Sequence, residues 1–315
     1  MKVIEFLESS TRTLLSYEII PPLRGGTAHR IFDLVEELMP FEPPFIDITS
    51  RSAEVYDQKL PDGTVRRRVR RKRPGTIGLS AAIKNRYNVE TVPHILCRGF
   101  TQEETEDALI ELNYLGIDNV LAVTGDDTGR GNPGGEYDTV NRYANELVEQ
   151  IVNMNRGIYL EALEDSHPTD FCIGVGGYPE KHRDSPDLES DIEFLKKKVN
   201  LGAHYIVTQM FFDNAAYFPF VEKCKRAGID VPIIPGLKIL TSKRHLTMLP
   251  QIFDVQVPEP LASRVRESPG EEVKQIGIDW ALDQCQELLQ ARVPCIHFYI
   301  MQDAKTVAKI VSRIR

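Results

Sequence analysis

Paired cysteines, long apolar runs and an excess of positive charge are all missing from this 315-residue chain. No C-x-x-C pair occurs, and the five cysteines, Cys97, Cys172, Cys224, Cys285 and Cys295, are odd in number. Four of them sit in apolar or amphipathic segments, which points to packed thiols rather than a disulfide framework or a zinc site. A reactive thiol is the alternative for Cys97, which ends an apolar run. No run approaches the roughly 20 apolar residues that span a bilayer. Charges at Lys2, Glu5 and Glu8 do not suit a signal peptide. A cytoplasmic protein without a membrane partner is the expectation. The net charge of −8 argues against general nucleic-acid binding. Also lacking are an H-E-x-x-H metal pattern and a G-x-S-x-G elbow, and no metal is expected. Gly174-Val175-Gly176-Gly177 lies in a strand and lacks the spacing of a dinucleotide fingerprint.

What the chain does contain is a rhythm. Eight short, largely continuous apolar runs occur at Leu15–Ile20, Phe45–Thr49, Val92–Cys97, Asn119–Val123, Phe171–Gly176, Tyr205–Gln209, Pro232–Pro235 and Cys295–Tyr299. Such runs suit strands covered on both faces. Helical patterns separate them. Thr101 and Glu104 form a capping box, with Ala108, Leu112 and Leu115 as the apolar face before Gly116. Leu188, Ile192, Leu195 and Val199 precede a stop at Gly202; Tyr217, Val221 and Cys224 precede Gly228; Val273, Ile276 and Trp280 mark a long helix. Eight strands alternating with helices predict an α/β fold, a (β/α)8 TIM barrel formed as a single domain over residues 1–315. A doubly wound open sheet would want a glycine-rich turn after its first strand. Here Pro21-Pro22 follow instead. Residues 55–76 form a polar, basic insertion after the second strand, and residues 127–137 are rich in glycine and acid, as a loop is.

Within a closed barrel of this kind, chemistry belongs at the carboxyl ends of the strands. The polar residues that fall there are Glu18, Thr49, His94, Asp126, Tyr178, Gln209 and Tyr299. A barrel mouth meets water, so polar residues are also expected there without a function. Glu18 stands out because it lies between Tyr17 and Ile19-Ile20, where an ionised carboxylate is costly. Burial raises a carboxyl pKa and suits a general acid; a salt bridge to a barrel arginine is the structural alternative. Gly125 lets backbone approach a planar ligand, and Asp126 beside it suits a cationic intermediate. The Gln209 amide can read a pterin or nicotinamide edge. Tyr178 and His182 can stack on a ring, and one of Lys196, Lys197 and Lys198 can reach a pyrophosphate. Seven of the eight residues 66–73 are basic. A solvated loop or hairpin explains that run, with a phosphate contact as the alternative.

In order along nearly the whole chain, Ser16-Tyr17-Glu18-Ile19-Ile20-Pro21-Pro22, Pro93-His94-Ile95-Leu96-Cys97, Val123-Thr124-Gly125-Asp126, Tyr178-Pro179-Glu180-Lys181-His182, Thr208-Gln209-Met210-Phe211-Phe212-Asp213, Ile233-Ile234-Pro235-Gly236 and His297-Phe298-Tyr299 resemble the methylenetetrahydrofolate reductase family. The resemblance implies a flavoprotein oxidoreductase of one-carbon metabolism and methionine biosynthesis. In this scheme FAD is bound, NADH or NADPH reduces it, and 5,10-methylenetetrahydrofolate is then reduced to 5-methyltetrahydrofolate in a ping-pong cycle. By the same resemblance Glu18 is the acid that opens the folate ring and Asp126 acts beside the flavin. Thr49, His94, Thr124, Gly125, Asp126, Tyr143, Ala144, Tyr178, His182, Asp191, Lys197 and Lys198 line FAD, and Gln209 and Tyr299 meet the substrate. A homo-oligomer and the lack of a regulatory domain after the barrel are further expectations. The chain departs from the family pattern at Ile19-Ile20, Ser50, Thr124 and Asp303, the last two standing where arginines are usual. Three rivals stay open: another FAD barrel, proline dehydrogenase-like; a pterin-binding methyltransferase barrel; and a scaffold whose basic run binds nucleic acid.

Overall fold

The structure, a computed structural model, describes residues 1–70, 73, 75–125 and 139–315. Asp126, Arg71, Lys72 and the loop expected at 127–137 lie outside the described residues. Among the described residues, the ten strands are β1 Leu14–Ile19, β2 Phe45–Ile48, β3 Glu54–Lys59, β4 Val65–Arg70, β5 Glu90–Leu96, β6 Asn119–Val123, β7 Cys172–Gly177, β8 Tyr205–Met210, β9 Ile233–Leu237 and β10 Cys295–Met301. Eight of them close a barrel in the order β1-β2-β5-β6-β7-β8-β9-β10, and β10 pairs in parallel with β1. This is a (β/α)8 barrel. Its strands match the eight apolar runs to within two residues at every end.

Because successive side chains of a strand point to opposite faces, each strand divides into two sets. The outward set, including Tyr17, Ile19, Ile46, Ile48, Ile95, Val120, Ile173, Ile206 and Phe298, packs under the helices in one continuous apolar cluster. The inward set forms an apolar layer toward the strand starts, where Phe45, Val92, Leu121, Cys172, Tyr205, Ile234 and Cys295 meet. The helix Val3–Ser9 closes that end: Val3 and Leu7 pack on this layer, and the Val3 N–H donates to Asn119 Oδ1 at 2.7 Å. Gly174 makes the layer possible, since a Cβ there would lie 2.4 Å from Cζ of Tyr205. Farther along β1, β2, β5 and β10 the inward residues include Glu18, Asp47, His94, and His297 and Tyr299.

Three sequence expectations are refined or corrected. The capping box is present, with Glu104 N–H donating to Thr101 Oγ1 at 3.1 Å. The helix it starts, Gln102–Tyr114, instead buries Thr105, Leu109 and Leu112, and Leu115 is exposed. Gly116 adopts a left-handed φ of +66° and folds the chain back, so that Ile117 takes the buried place. The basic insertion is an antiparallel hairpin: β3 and β4 pair through a turn in which Leu60 N–H donates to Thr64 O at 2.8 Å. Arg70 stacks on Tyr56 at 4.5 Å, and the Arg73 guanidinium donates to Pro21 O beside β1. All five cysteines are buried and free. Burial pushes the Cys97 thiol up to about 12, which overturns its reading as a reactive group.

The long helix Val273–Gln290 crosses the segment after β9 at its closest point. Gly277 is the residue that permits this crossing. A Cβ on it would sit 1.8 Å from the Leu240 carbonyl oxygen. Around the crossing, Leu240, Leu249, Leu261, Val265, Val273 and Ile276 form a third apolar cluster.

Candidate active site

The polar part of the barrel interior begins one layer above the Phe45–Tyr205 floor. Inward alternation brings Ser16 and Glu18 from β1, Asp47 from β2, His94 from β5, and His297 and Tyr299 from β10 toward one another. Register fixes their heights: Glu18 lies level with Asp47 on one side and Tyr299 on the other. His94 Nε2 stands 3.7 Å from Glu18 Oε2 and 3.5 Å from Asp47 Oδ2. Glu18 and His94 are each 8 % exposed, and Asp47 is fully buried. Burial disfavours an imidazolium, but the two carboxylates outweigh it and raise His94 above the ordinary histidine value. His297 goes the other way. Burial pulls it down to about 4, and its Nδ1 pairs with Ser16 Oγ at 2.8 Å.

Lys238, just past β9, adds a cation to this group. Its Nζ donates to Tyr299 O at 3.0 Å, and burial lowers it to about 8. Tyr299 belongs to this polar group, but its hydroxyl is committed to Thr208 O at 2.6 Å. That pose depends on Gly236, where a Cβ would be 2.5 Å from Cε2 of Tyr299. Gln209, at the end of β8, uses Oε1 to accept from Met210 N–H at 2.9 Å, and its amide NH2 takes no part in that bond.

A second cluster sits above β7. Tyr178 and His182 meet edge to face at 4.6 Å. Asp191 accepts from His182 N–H at 2.9 Å and from Ser185 Oγ at 3.1 Å, which pins the loop between them. Lys198 is the lysine of its triplet that turns inward. Its Nζ donates to Gly176 O at 2.8 Å, and burial lowers it to about 8. Lys197 is exposed and lies over the Phe194 ring at 4.9 Å. Tyr143 is 64 % exposed at the start of the helix Ala144–Asn155, with Ala144 half-buried behind it. Thr124 and Gly125 follow β6 directly. Gly125 has φ +88°, a left-handed conformation that glycine supplies without strain.

Asp47 and Lys238 were not among the expected site residues. The signal for Asp47 was available, since it is an acid inside an apolar strand just as Glu18 is. Lys238 carries no comparable signal, because a single lysine after a strand is ordinary. Asp303, standing where the family pattern has arginine, is a helix cap. It accepts from Thr306 N–H at 3.1 Å, from Thr306 Oγ1 at 2.5 Å and from Lys274 Nζ at 3.0 Å, at the start of the helix Ala304–Ile314. Partial burial would raise its carboxyl, but these bonds outweigh it and hold it below the ordinary value. Asp303→Ala is expected to cost about 1 kcal/mol in urea unfolding at neutral pH. The difference from wild type should be full above about pH 4 and vanish as acid protonates Asp303 in the folded state. A cost that stayed constant down to strongly acid pH would contradict the cap.

A cavity of about 700 Å³ lies at the strand starts among Phe6, Arg12, Leu14, Glu42, Asn88 and Arg315. It contains none of the polar ring, and barrel chemistry sits at the opposite end. At that end a cavity of about 410 Å³ reaches from Ser50 and Thr76 past His94 and Leu96 to Phe100.

A family model described as methylenetetrahydrofolate reductase matches residues 2–315. The chain is 26% identical over 302 residues to methylenetetrahydrofolate reductase 1 of Schizosaccharomyces pombe, covering 95% of this chain and 45% of that protein. It is 28% identical over 330 residues to methylenetetrahydrofolate reductase (NADH) 1 of Arabidopsis thaliana, covering 100% and 51%. Against 5,10-methylenetetrahydrofolate reductase of Escherichia coli it is 27% identical over 296 residues, covering 92% and 87%. The chain thus spans about half the length of the yeast and plant relatives and most of the bacterial one. Among solved structures, an uncharacterized protein from Clostridium thermocellum that binds two copies of 5-methyl-5,6,7,8-tetrahydrofolic acid superposes with a TM-score of 0.55 at 14% identity, covering 99% of both chains. Oxaloacetate acetylhydrolase superposes at 0.52 and 10% identity, covering 99% of this chain and 83% of that one. At these identities the superpositions show a shared fold.

Proposed function

The chain belongs to the methylenetetrahydrofolate reductase family, and from that premise we propose that it reduces 5,10-methylenetetrahydrofolate to 5-methyltetrahydrofolate at the expense of a reduced nicotinamide dinucleotide, with FAD as resident cofactor. One observation carries the reading: a carboxyl group, Glu18, stands nearly buried inside the barrel, 3.7 Å from an imidazole, at the level where the inward side chains change from apolar to polar.

The residues present fit a flavin. Thr49 Oγ1 is buried just past β2 without a hydrogen-bond partner, as a group awaiting a polar ring edge would be. Gly125 allows close backbone approach at the end of β6. Tyr178, His182 and Lys198 gather above β7, where an aromatic face and a cation suit an isoalloxazine edge and a pyrophosphate. When bound, FAD supplies the two-electron relay between nicotinamide and folate.

The chain's own residues then have defined work. Glu18 delivers a proton to a nitrogen of the five-membered folate ring, whose opening leaves an iminium carbon to be reduced. Its low exposure keeps the proton from water until substrate enters. Gln209 presents its amide NH2 to the pterin or nicotinamide edge, and the Tyr299 ring forms a wall beside it. Asp126 completes the proposed set as a carboxylate beside the cation.

A purified preparation should be yellow, or become so with added FAD, and should then oxidise NADH or NADPH and reduce 5,10-methylenetetrahydrofolate. A protein that cannot be loaded with FAD would sink the reading. Flavin binding without folate turnover would favour a proline dehydrogenase-like oxidase, and folate binding without flavin a methyltransferase barrel.

A further inference from the structure

Asp47 has no role in the reading above, and its setting asks for one. It is fully buried, and neither of its oxygens makes a hydrogen bond. An ionised carboxylate so placed is costly unless a cation is near. Two imidazoles face it: His94 Nε2 at 3.5 Å from Oδ2 and His297 Nδ1 at 4.0 Å from Oδ1. His297 is a poor candidate for that cation, because Ser16 occupies its Nδ1 and burial holds it neutral. His94 remains, and it lies between Asp47 and Glu18. Among the described residues, the other titratable groups facing this pair are Tyr205 from β8, Lys238 beyond β9, and Cys295 and Tyr299 from β10. Lys238 donates to a backbone carbonyl, and the tyrosines and the thiol are held neutral by burial.

We propose that Asp47 is a positioning residue for the acid: its buried charge holds His94 protonated and turned toward Glu18, so that His94 returns to Glu18 the proton lost in each turnover. The balance is simple. Glu18 gives one proton to the folate nitrogen and becomes a carboxylate. His94 passes its Nε2 proton to that carboxylate and becomes neutral. One proton from solvent at the barrel mouth then restores the imidazolium. No oxidant or reductant is involved. This rests on the reading of Glu18 as the acid.

Asp47→Asn in the FAD-loaded enzyme removes the charge and keeps the shape. Two measurements test it. The first is the NMR titration of His94, assigned by comparison with His94→Gln. The second is the pH dependence of each half-reaction by stopped flow. Losing the Asp47 charge lets burial prevail, so the His94 midpoint should fall by about one pH unit or more. The alkaline limb of folate reduction, where His94 loses its proton, should move to lower pH by the same amount. Folate reduction above neutral pH should then fall about tenfold, while nicotinamide oxidation and the folate KM change less than about twofold. An unmoved His94 midpoint, or an equal loss in both half-reactions, would overturn the proposal. Asp47→Ser serves as a second variant, and failure of both to fold would make Asp47 a structural residue and overturn it equally. A wild-type enzyme that reduced no folate would remove the reading of Glu18, and the His94 titration would still decide whether Asp47 holds that imidazole charged.

Discussion

Glu18→Gln is expected to leave nicotinamide oxidation within about twofold of wild type and to slow folate reduction by about 10²–10⁴-fold, the usual worth of a positioned general acid. The amide matches the carboxyl in shape and cannot give up a proton, so packing on β1 is kept while the chemistry is lost. Separate half-reactions, followed by flavin absorbance in the reduced and oxidised directions, make the comparison. An equal fall in both would mean that Glu18 holds the barrel mouth together rather than acting on folate. His94 gives the experiment an internal control. It loses one of its two carboxylate neighbours in this variant, so its own titration should move down as well.

The largest effect on stability is expected at Gly277→Ala, where two opposite contributions can be weighed. In an exposed helix interior alanine is better than glycine by roughly 1 kcal/mol. At Gly277 the added methyl would lie 1.8 Å from the Leu240 carbonyl oxygen and 2.8 Å from its carbon. Those are backbone atoms, and no rotamer change can clear them. The helix must shift away from the segment after β9, opening the cluster of Leu240, Val273 and Ile276. Overpacking of this kind costs about 3 kcal/mol, so the variant should be less stable by a net of about 2 kcal/mol in urea unfolding. An unchanged or higher midpoint would show that the helix and the Leu240 carbonyl are not in close contact at this crossing. Activity per folded molecule is a useful companion, since Lys238 lies on the same segment.

Much of this architecture was legible in the sequence because a strand covered on both faces must be apolar almost throughout. Each of the eight runs therefore announced itself, and the alternation with helices implied closure. Glu18 was legible for the complementary reason, as an acid where apolar residues belong. Asp47 obeys the same rule within Phe45-Ile46-Asp47-Ile48, and strand alternation puts it on the face of Phe45, but its importance comes from His94 some 47 positions later in the chain. Contacts of that range become visible only once the barrel closes. The Ser16–His297 pair, joining the first and last barrel strands, is another case. Helical phase could have separated the lysine triplet. Lys198 follows buried Leu195 by three residues and so shares its face, whereas Lys197 does not. Leu115 went astray because the periodic pattern was extended through the turn that Gly116 makes. Asp303 read as a missing arginine, and the local pairing with Thr306 three residues later is what explains its presence.

The β3–β4 hairpin has a consequence for how the molecule meets charged surfaces. Seven of the positive charges lie within residues 66–73, so subtracting them from the net charge of −8 leaves −15 over the rest of the chain. The protein is therefore an electric dipole at long range, acidic overall with one concentrated basic pole. Its sequence pI of about 5.5 suggests an anion exchanger for purification near neutral pH. At low ionic strength the basic pole should also retard it on a cation exchanger. That retention should fade once the screening length drops below about 10 Å, near 0.1 M salt.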